Sequence, residues 1–539
     1  MRRLLTPLLA VLLVGAAPAK PEYDIVIRGG RVLDGAGNPW VSADVGIKKG
    51  LIARIGRITG SGVKEIDARG RYVSPGFIDM MDQSGSVLLK NGAAENKLRM
   101  GVTTLIGGEG GTPVPAAEIP AYFSRLERQG IAVNFGTYYS AAQARVKVMG
   151  DSAGAPTPKQ MKAMETEVAA AMRAGAFGIS TALIYPPSSF QSTTDLVQLA
   201  KIPGRCGGFY STHMRDESGK LLEAIEEAIT IGEKSGAKVE IFHLKAAYAP
   251  EWGKLMPKAL ALIDAARARG IDIAADLYPY RAGGTGLEIT VPNHLFKNGF
   301  EQAVKQLRDP LVRAQLKKEL AAGSQPGWSN LVEAAGGWEN VVLANGFNPK
   351  YSRYHGKSFS EIGKALGKDP ADAAWDILLE ALPDRAMALF FMMDERDIEL
   401  ALKRPWTSIG SDAAAVEKMG GMDALGLPHP RAYGTFPRII AEYSRKRKVI
   451  SLEEAIRKMT SWPAQRMGFT DRGALREGLR ADIIVLDLQK IQDVADWSNP
   501  TAGAEGINDV IVNGQIALAN GHPTGVKSGR VLRHRCETE

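Results

Sequence analysis

The chain has 539 residues, 45% of them hydrophobic and 23% charged, a balance typical of a globular protein with a large core and not of a disordered one. Its formal charge of +8 comes from lysines and arginines that are scattered among acidic residues, so we expect no nucleic-acid partner. The two cysteines, Cys206 and Cys536, are too few for a cysteine-based structural zinc site, and we also expect no disulfide framework.

Residues 1–19 have the pattern of a secretory signal peptide. Two arginines precede a short apolar run from Leu8 to Ala17, and Ala17-Pro18-Ala19 supplies small residues at the cleavage-site spacing. The apolar run is too short to span a bilayer. We therefore expect export to the periplasm or the medium after cleavage behind Ala19, and no membrane span in the mature protein. An uncleaved anchor is the alternative.

Short strand-like segments bounded by glycines occur near both chain ends. Residues 23–34, 43–47 and 51–55 alternate apolar and polar positions, and residues 481–487 and 509–515 repeat this texture. Neither end has enough strands for a stable sheet of its own. We therefore predict that residues 20–74 and 471–539 are the two halves of one small β domain.

Between these halves, over residues 75–470, strands alternate with helices, which predicts an α/β fold with parallel strands. The length suits a (β/α)8 barrel with insertions. The strand candidates are residues 74–81, 103–109, 132–139, 175–181, 208–213, 238–243, 271–278, 388–394 and 407–412. These are nine windows for eight places, so one window must lie outside the barrel.

Two helices are indicated clearly. Residues 220–235 carry apolar residues at the spacing of one buried helical face and precede Gly236, a helix stop. Ser451-Leu-Glu-Glu454 opens another helix with a capping box. Residues 285–385 break the rhythm of strands and helices, and we interpret them as an insertion at the mouth of the barrel.

Two of the seven histidines stand in matching positions. His213 ends the window Gly208-Phe-Tyr-Ser-Thr-His213, and His243 ends Lys238-Val-Glu-Ile-Phe-His243, thirty residues later. That is about the length of one strand–helix–strand unit. Because neighbouring parallel strands lie about 4.8 Å apart and barrel active sites lie at the carboxyl ends of strands, both imidazoles can reach one metal ion. The alternative is a pair of core histidines held by hydrogen bonds.

Two carboxylates follow other strand candidates. Asp412 ends Ile409-Gly-Ser-Asp412, where it can be a metal ligand, the general base for a metal-activated water, or simply a helix cap. Glu109 lies in Leu105-Ile-Gly-Gly-Glu-Gly-Gly-Thr-Pro113, where the flanking glycines allow a close backbone approach. Its alternative is a solvent-facing loop acid.

Taken in order, nine segments resemble the D-aminoacylase, or N-acyl-D-amino-acid deacylase, branch of the amidohydrolase superfamily. The resemblance extends from about residue 22 to residue 520. The segments are Ser74-Pro-Gly-Phe-Ile-Asp79, Gly101-Val-Thr-Thr104, Ile184-Tyr-Pro-Pro187, Thr212-His-Met-Arg215, His243-Leu-Lys245, Tyr278-Pro-Tyr280, Gly410-Ser-Asp412, His429-Pro-Arg-Ala-Tyr-Gly-Thr-Phe436 and Arg472-Gly-Ala-Leu-Arg-Glu-Gly-Leu-Arg-Ala-Asp482.

The resemblance implies a fold and a set of roles. The fold is a (β/α)8 barrel with a small β-sandwich made from both chain ends. His213 and His243 are then zinc ligands, and Asp412 is the catalytic residue that takes a proton from the activated water and passes it to the leaving amine. The substrate carboxylate and the scissile carbonyl are held or polarised by Lys245, Tyr278 and Arg431.

The chain departs from the family pattern at two places. The family has His-x-His where this sequence has Met81 and Gln83, and neither is a normal zinc ligand. The family also has a cysteine where this sequence has Glu109, whose carboxylate zinc accepts. We therefore expect one zinc ion, held by Glu109, His213 and His243, rather than two.

The resemblance implies hydrolysis of an N-acyl amino acid, of D configuration, by a zinc-activated water. A dipeptidase, a D-aminopeptidase or a cyclic amidase with the same site is a close alternative. A degenerate barrel that binds a ligand without hydrolysing it is a second alternative. The acyl group, the preferred side chain and the oligomeric state are left open by the sequence.

Overall fold

The structure is a computed structural model that describes residues 21–416 and 428–536. The predicted signal peptide lies outside the described residues. Within these residues, no helix combines the length and the apolar character needed to cross a bilayer.

Twenty-one strands are present in the described residues. In chain order they are β1 Tyr23–Val32, β2 Val41–Lys48, β3 Leu51–Gly56, β4 Gly62–Asp67, β5 Tyr72–Pro75, β6 Phe77–Asp82, β7 Val102–Gly107, β8 Asn134–Thr137, β9 Tyr139–Ser140, β10 Gly178–Ala182, β11 Phe209–His213, β12 Lys238–Ile241, β13 Ile273–Leu277, β14 Gly283–Gly286, β15 Val341–Asn345, β16 Met387–Phe390, β17 Thr407–Ile409, β18 Ile483–Leu486, β19 Ile507–Val512, β20 Gln515–Ala519 and β21 His522–Pro523.

The α-helices of the described residues connect these strands. They are α1 Glu95–Arg99, α2 Ile119–Gln129, α3 Ala141–Met149, α4 Pro158–Ala174, α5 Thr193–Gly204, α6 Leu221–Ser235, α7 Leu255–Ala268, α8 Phe300–Leu307, α9 Pro310–Ala321, α10 Leu331–Ala334, α11 Phe359–Leu366, α12 Pro370–Ala381, α13 Glu395–Leu402, α14 Arg431–Arg438, α15 Leu452–Met459 and α16 Ser461–Met467. A π-helical stretch, Ile439–Lys446, continues α14.

Both predicted helices are present. Helix α6 ends at Gly236, whose left-handed φ of 74° is easily adopted by glycine. Helix α15 begins after Ser451, whose side chain accepts a hydrogen bond from the Glu454 amide.

Strands from both chain ends form one nine-stranded sheet in the order β21-β20-β19-β18-β5-β1-β2-β3, with β4 also paired to β1. Strand β18 packs this sheet against two hydrophobic cores. Ile483 and Val485 pack into the small core of this sheet, whereas Ile484 and Leu486 pack into the main core. Because alternate side chains of a strand point to opposite faces, this strand is buried on both sides.

The parallel strands lie in two sheets, β6-β7-β8 and β17-β13-β12-β11-β10-β9. Further contacts join the two sheets at both edges. On one side β8 and β9 are separated by one residue, Tyr138, whose amide donates to Gly107. On the other side the Asp412 amide donates to the Met81 carbonyl, and Asp82 and Ala413 form a parallel bridge.

Two strand windows, residues 74–81 and 132–139, each divide into two strands. Residues 74–81 divide at Gly76 between the end sheet and the parallel strands. A Cβ atom at Gly76 would lie 2.2 Å from Thr103 Cγ2, so only glycine fits this crossing without movement. Residues 388–394 supply the window that lies outside the parallel strands. Strand β16 there pairs antiparallel with β14 and β15, across the segment predicted to be an insertion.

The expectation of no disulfide is wrong. Cys206 and Cys536 are bonded, with Cα atoms 5.2 Å apart and a sequence separation of 330. The C-terminal tail reaches Cys206 because it runs along the parallel strands, where the Leu532 amide donates to Phe135 and the His534 amide to Gly175. The position of a cysteine near a chain end therefore did not indicate where the end lies in space.

Candidate active site

Residues at the carboxyl ends of the parallel strands lie close together. His213 ends β11, His243 follows β12, and Tyr278 follows β13. Asp412 follows β17 and Glu109 follows β7. Because parallel strands share one carboxyl end, residues far apart in the chain are brought to the same place.

Glu109, His213 and His243 form a group suited to a metal ion. One ligand atom of each lies within 4.8 Å of the others. Glu109 Oε1 is 2.8 Å from His213 Nδ1 and 3.4 Å from His243 Nε2. Ligand atoms around a tetrahedral zinc with bonds near 2.05 Å are separated by roughly 3.3 Å. The carboxylate and two imidazoles therefore match a zinc site in both chemistry and spacing.

Glu217 is a site residue that the sequence analysis missed. Its buried carboxylate accepts a hydrogen bond from Lys245 Nζ at 2.7 Å and lies 3.0 Å from His243 Nδ1. His213 Nε2 lies 3.6 Å from the other carboxylate oxygen. Glu217 follows the strand-end residue His213 by four positions, and this spacing is the signal in the sequence that could have indicated it.

The charges in this group shift the pKa values of its members. Burial acts to raise the pKa of the Glu217 carboxyl, but Lys245 and the two histidines outweigh it and lower the pKa. Burial and Lys245 act to lower the pKa of His243, but Glu217 and Glu109 outweigh them and raise it to about 9. Glu217 is therefore held as a carboxylate.

On the other side of the metal group, Asp412 pairs with Arg431, whose Nη1 lies 2.9 Å from Asp412 Oδ2. The guanidinium stacks 4.6 Å from the centre of the Tyr278 ring. Burial raises the pKa of the Tyr278 phenol well above its usual value, so this hydroxyl remains a donor. Lys245 Nζ lies 5.6 Å from the same ring. Two cations thus lie close to the ring of one phenol.

Gln83 contacts the metal group, whereas Met81 lies in the apolar interior. Gln83 Nε2 donates to Glu109 Oε2 at 2.5 Å and to Asp412 Oδ1 at 3.2 Å. Met81 packs in an apolar cluster with Ile78 and is 1% exposed. A neutral amide therefore links the metal group to Asp412.

A buried ion cluster lies directly behind Asp412. Lys97 Nζ is 2.8 Å from carboxylate oxygens of both Asp79 and Asp82. The same ammonium donates to Ser411 Oγ at 2.8 Å and to the Ala413 carbonyl at 2.7 Å. Lys97 therefore holds the two residues that flank Asp412.

The backbone at two site residues adopts an uncommon conformation. His243 has a φ of 38° and Asp412 a φ of 49°, values that side-chain-bearing residues adopt rarely. The Asp276 carboxylate supports the first by accepting the His243 amide at 2.8 Å. Such strain is typical of functional sites, where the surrounding contacts compensate for it.

Comparisons with known proteins show the family to which this chain is similar. The model of the amidohydrolase family matches residues 377–518. An N-acyl-D-glutamate deacylase of Alcaligenes xylosoxydans xylosoxydans is 31% identical, with 95% of this chain and 97% of the relative aligned. The D-aminoacylase of that organism is also 31% identical, with the same coverage of both chains.

A solved structure of an N-acyl-D-glutamate deacylase is also similar to this chain. The N-acyl-D-glutamate deacylase of Bordetella bronchiseptica, in complex with zinc and a phosphonate inhibitor that mimics the tetrahedral intermediate, superposes with a TM-score of 0.78. The identity is 29%, and the match covers 95% of this chain and all of that one.

Proposed function

The chain belongs to the amidohydrolase family that contains D-aminoacylase and N-acyl-D-glutamate deacylase, and we propose that it hydrolyses the amide bond of an N-acyl-D-amino acid. The products are a carboxylic acid and a free D-amino acid. The observation that carries the proposal is the meeting of Glu109, His213 and His243 in one group, with Asp412 bridged to it by Gln83.

We propose that the parallel strands form a closed (β/α)8 barrel, with β8 and β9 counted as one interrupted strand and a β-sandwich built from both chain ends. Pairing runs from β6 through β7 and β8, and from β9 through β13 to β17. The bridge between Asp82 and Ala413 supports closure between the last strand and the first. Closure gives one mouth at the carboxyl ends, where the site residues lie.

Glu109, His213 and His243 are the residues that would hold a zinc ion. The ion supplies positive charge that acidifies water and polarises the amide carbonyl. We propose one ion rather than two, because Met81 is committed to the apolar interior and Gln83 donates its amide hydrogens to Glu109 and Asp412.

The remaining residues move the proton and hold the substrate. The Asp412 carboxylate takes a proton from the attacking water and returns it to the amide nitrogen as the carbon–nitrogen bond breaks. The Tyr278 hydroxyl donates a hydrogen bond to the carbonyl oxygen as negative charge develops there. Arg431 and Lys245 bind the substrate carboxylate, Arg431 through its two-pronged guanidinium.

We also propose that the protein is exported after cleavage behind Ala19. The Cys206–Cys536 disulfide supports this, because disulfides persist in oxidising compartments. Mass spectrometry of the protein recovered from the periplasm or medium of its host tests the proposal. A mature chain starting at Lys20 supports it, and an intact N-terminus contradicts it.

The catalytic proposal is tested on purified mature protein by metal analysis and by a panel of N-acetyl-D- and N-acetyl-L-amino acids. We expect about one zinc per chain and turnover of the D series. The His213→Ala and His243→Ala variants are expected to lose both zinc and activity. His294→Ala is the matched control, since His294 is exposed, pairs with Glu319 and does not belong to the metal group.

Other results decide between the alternatives. Equal turnover of both enantiomers, or preference for the L series, overturns the D specificity. If only dipeptides or cyclic amides are cleaved, the enzyme is a dipeptidase or a cyclic amidase instead. A zinc-free protein that binds the N-acetyl compounds without hydrolysing them would overturn catalysis itself.

A further inference from the structure

A cavity of about 370 Å³ lies beside the candidate active site. It is bounded mainly by the loop after β10 and by residues between Glu288 and Ala386, nearly all of which belong to the predicted insertion. This volume is in the range of small-molecule pockets, which runs from about 300 to 1,000 Å³. Its apolar lining includes Tyr185, Phe190, Ile289, Phe296, Leu378 and Leu382.

Tyr185 connects this cavity to the metal group. Its ring lines the cavity, and the ring centre lies 5.4 Å from that of His213 in an edge-to-face arrangement. The Tyr185 hydroxyl is hydrogen-bonded to Thr285 Oγ1 at 2.8 Å, which holds the ring in place. The cavity therefore begins one aromatic ring away from a metal-binding histidine.

The order of rings across the site gives the substrate a direction. The ring centres of His213 and His243 are 4.5 Å apart, and the Tyr278 ring follows 6.1 Å from His243. Tyr185 lies at the His213 end of this row, and Arg431 stacks on Tyr278 at the other end. If Arg431 holds the substrate carboxylate and the amide lies at the histidines, the acyl group can extend past His213 toward Tyr185.

The charges around the cavity disfavour an acidic ligand. Glu288 and Arg385 form an ion pair in the lining, which cancels their charges. Asp151 and Asp384, which also line the cavity, add negative charge. A second carboxylate in this space would meet excess negative charge, whereas a neutral apolar group would meet the aromatic and aliphatic lining.

We propose that this cavity binds the acyl group of the substrate, and that the enzyme prefers a neutral, medium-length apolar acyl group to an acetyl group. The inference rests on the proposed deacylase function and deepens it by naming the class of acyl group. An octanoyl chain suits the cavity, and a succinyl chain, which ends in a carboxylate, does not.

The test compares kcat/KM for N-octanoyl, N-acetyl, N-pentanoyl and N-succinyl derivatives of one D-amino acid. We expect octanoyl to exceed acetyl by at least about tenfold, since each buried methylene contributes to binding. We expect pentanoyl, similar in length to succinyl, to be preferred to it by a similar factor. The wild-type protein alone provides these ratios.

A pair of variants on α12 locates the effect. Leu378→Trp fills the cavity, so the octanoyl-to-acetyl ratio falls by at least about fivefold. Leu379→Trp is the matched control, because Leu379 is the next residue, is similarly buried and faces a different surface. Thermal melting shows whether each variant is folded, and if Leu378→Trp is not, the wild-type ratios decide.

The outcomes separate this proposal from the function on which it rests. If no N-acyl-D-amino acid is hydrolysed, the deacylase function fails and the acyl-group proposal fails with it. If the acetyl compound is hydrolysed but octanoyl gives no advantage, only the acyl-group proposal is overturned. A wild-type advantage that Leu378→Trp leaves intact in a folded protein also overturns the assignment to this cavity.

Discussion

Arg431 Nη1 lies 2.9 Å from Asp412 Oδ2, and both groups are largely buried. The pair holds the Asp412 side chain against the strand end, while its other carboxylate oxygen receives the Gln83 amide. A carboxylate held in this way is oriented for proton transfer, and it is not one of the three residues of the metal group.

The first prediction concerns Asp412→Asn. Because an amide cannot accept the proton, we expect kcat to fall by about 10²–10⁴-fold with zinc content unchanged. Steady-state kinetics and metal analysis measure both quantities. Asp309→Asn, which alters an exposed helix cap, is the control. Loss of zinc in Asp412→Asn would identify Asp412 as a ligand instead.

The second prediction concerns Glu217→Gln. Glu217 orients Lys245 and the His243 ring without belonging to the metal group, so we expect zinc affinity to fall by about 10–100-fold and KM to rise. Competition with a chelator measures the affinity. Glu223→Gln, on the exposed face of α6, is the control. Unchanged zinc affinity and KM would show that Glu217 has no positioning role.

The third prediction concerns Lys97→Met. Removing this ammonium leaves Asp79 and Asp82 buried without their cation, so we expect the free energy of unfolding to fall by about 3–5 kcal/mol. Urea unfolding measures the change, and Lys90→Met is the exposed control. A loss under 1 kcal/mol would contradict the balance of charge inferred for this cluster.

The fourth prediction concerns the disulfide. Cys206→Ser/Cys536→Ser releases the C-terminal tail from the parallel strands, and we expect a loss of about 2–5 kcal/mol in the free energy of unfolding. Reduction of the wild-type protein is expected to lower the melting temperature in the same way. Activity at low temperature should persist, because the bond lies away from the site residues. Free thiols in the untreated protein would argue against the bond.

Several features could be predicted from the sequence because they follow from local spacing. His213 and His243 each end a strand window, and parallel strands necessarily share a carboxyl end, so their meeting needs no knowledge of the loops. The pairing of residues near both chain ends follows from the shortage of strands at each end. Glu109 was indicated by its place after a strand.

Other features depend on which distant side chains pack together, and only the tertiary structure decided them. Glu217 lies in a loop, and its contact with Lys245 depends on how that loop folds over the strand ends. The ammonium of Lys97 reaches the residues on both sides of Asp412 across more than 300 residues of sequence. Local spacing predicts where a strand ends. The charge pairs, the disulfide and the cavity beside Tyr185 arise instead from contacts between segments that are separated in the sequence, and local spacing does not indicate which of these segments meet.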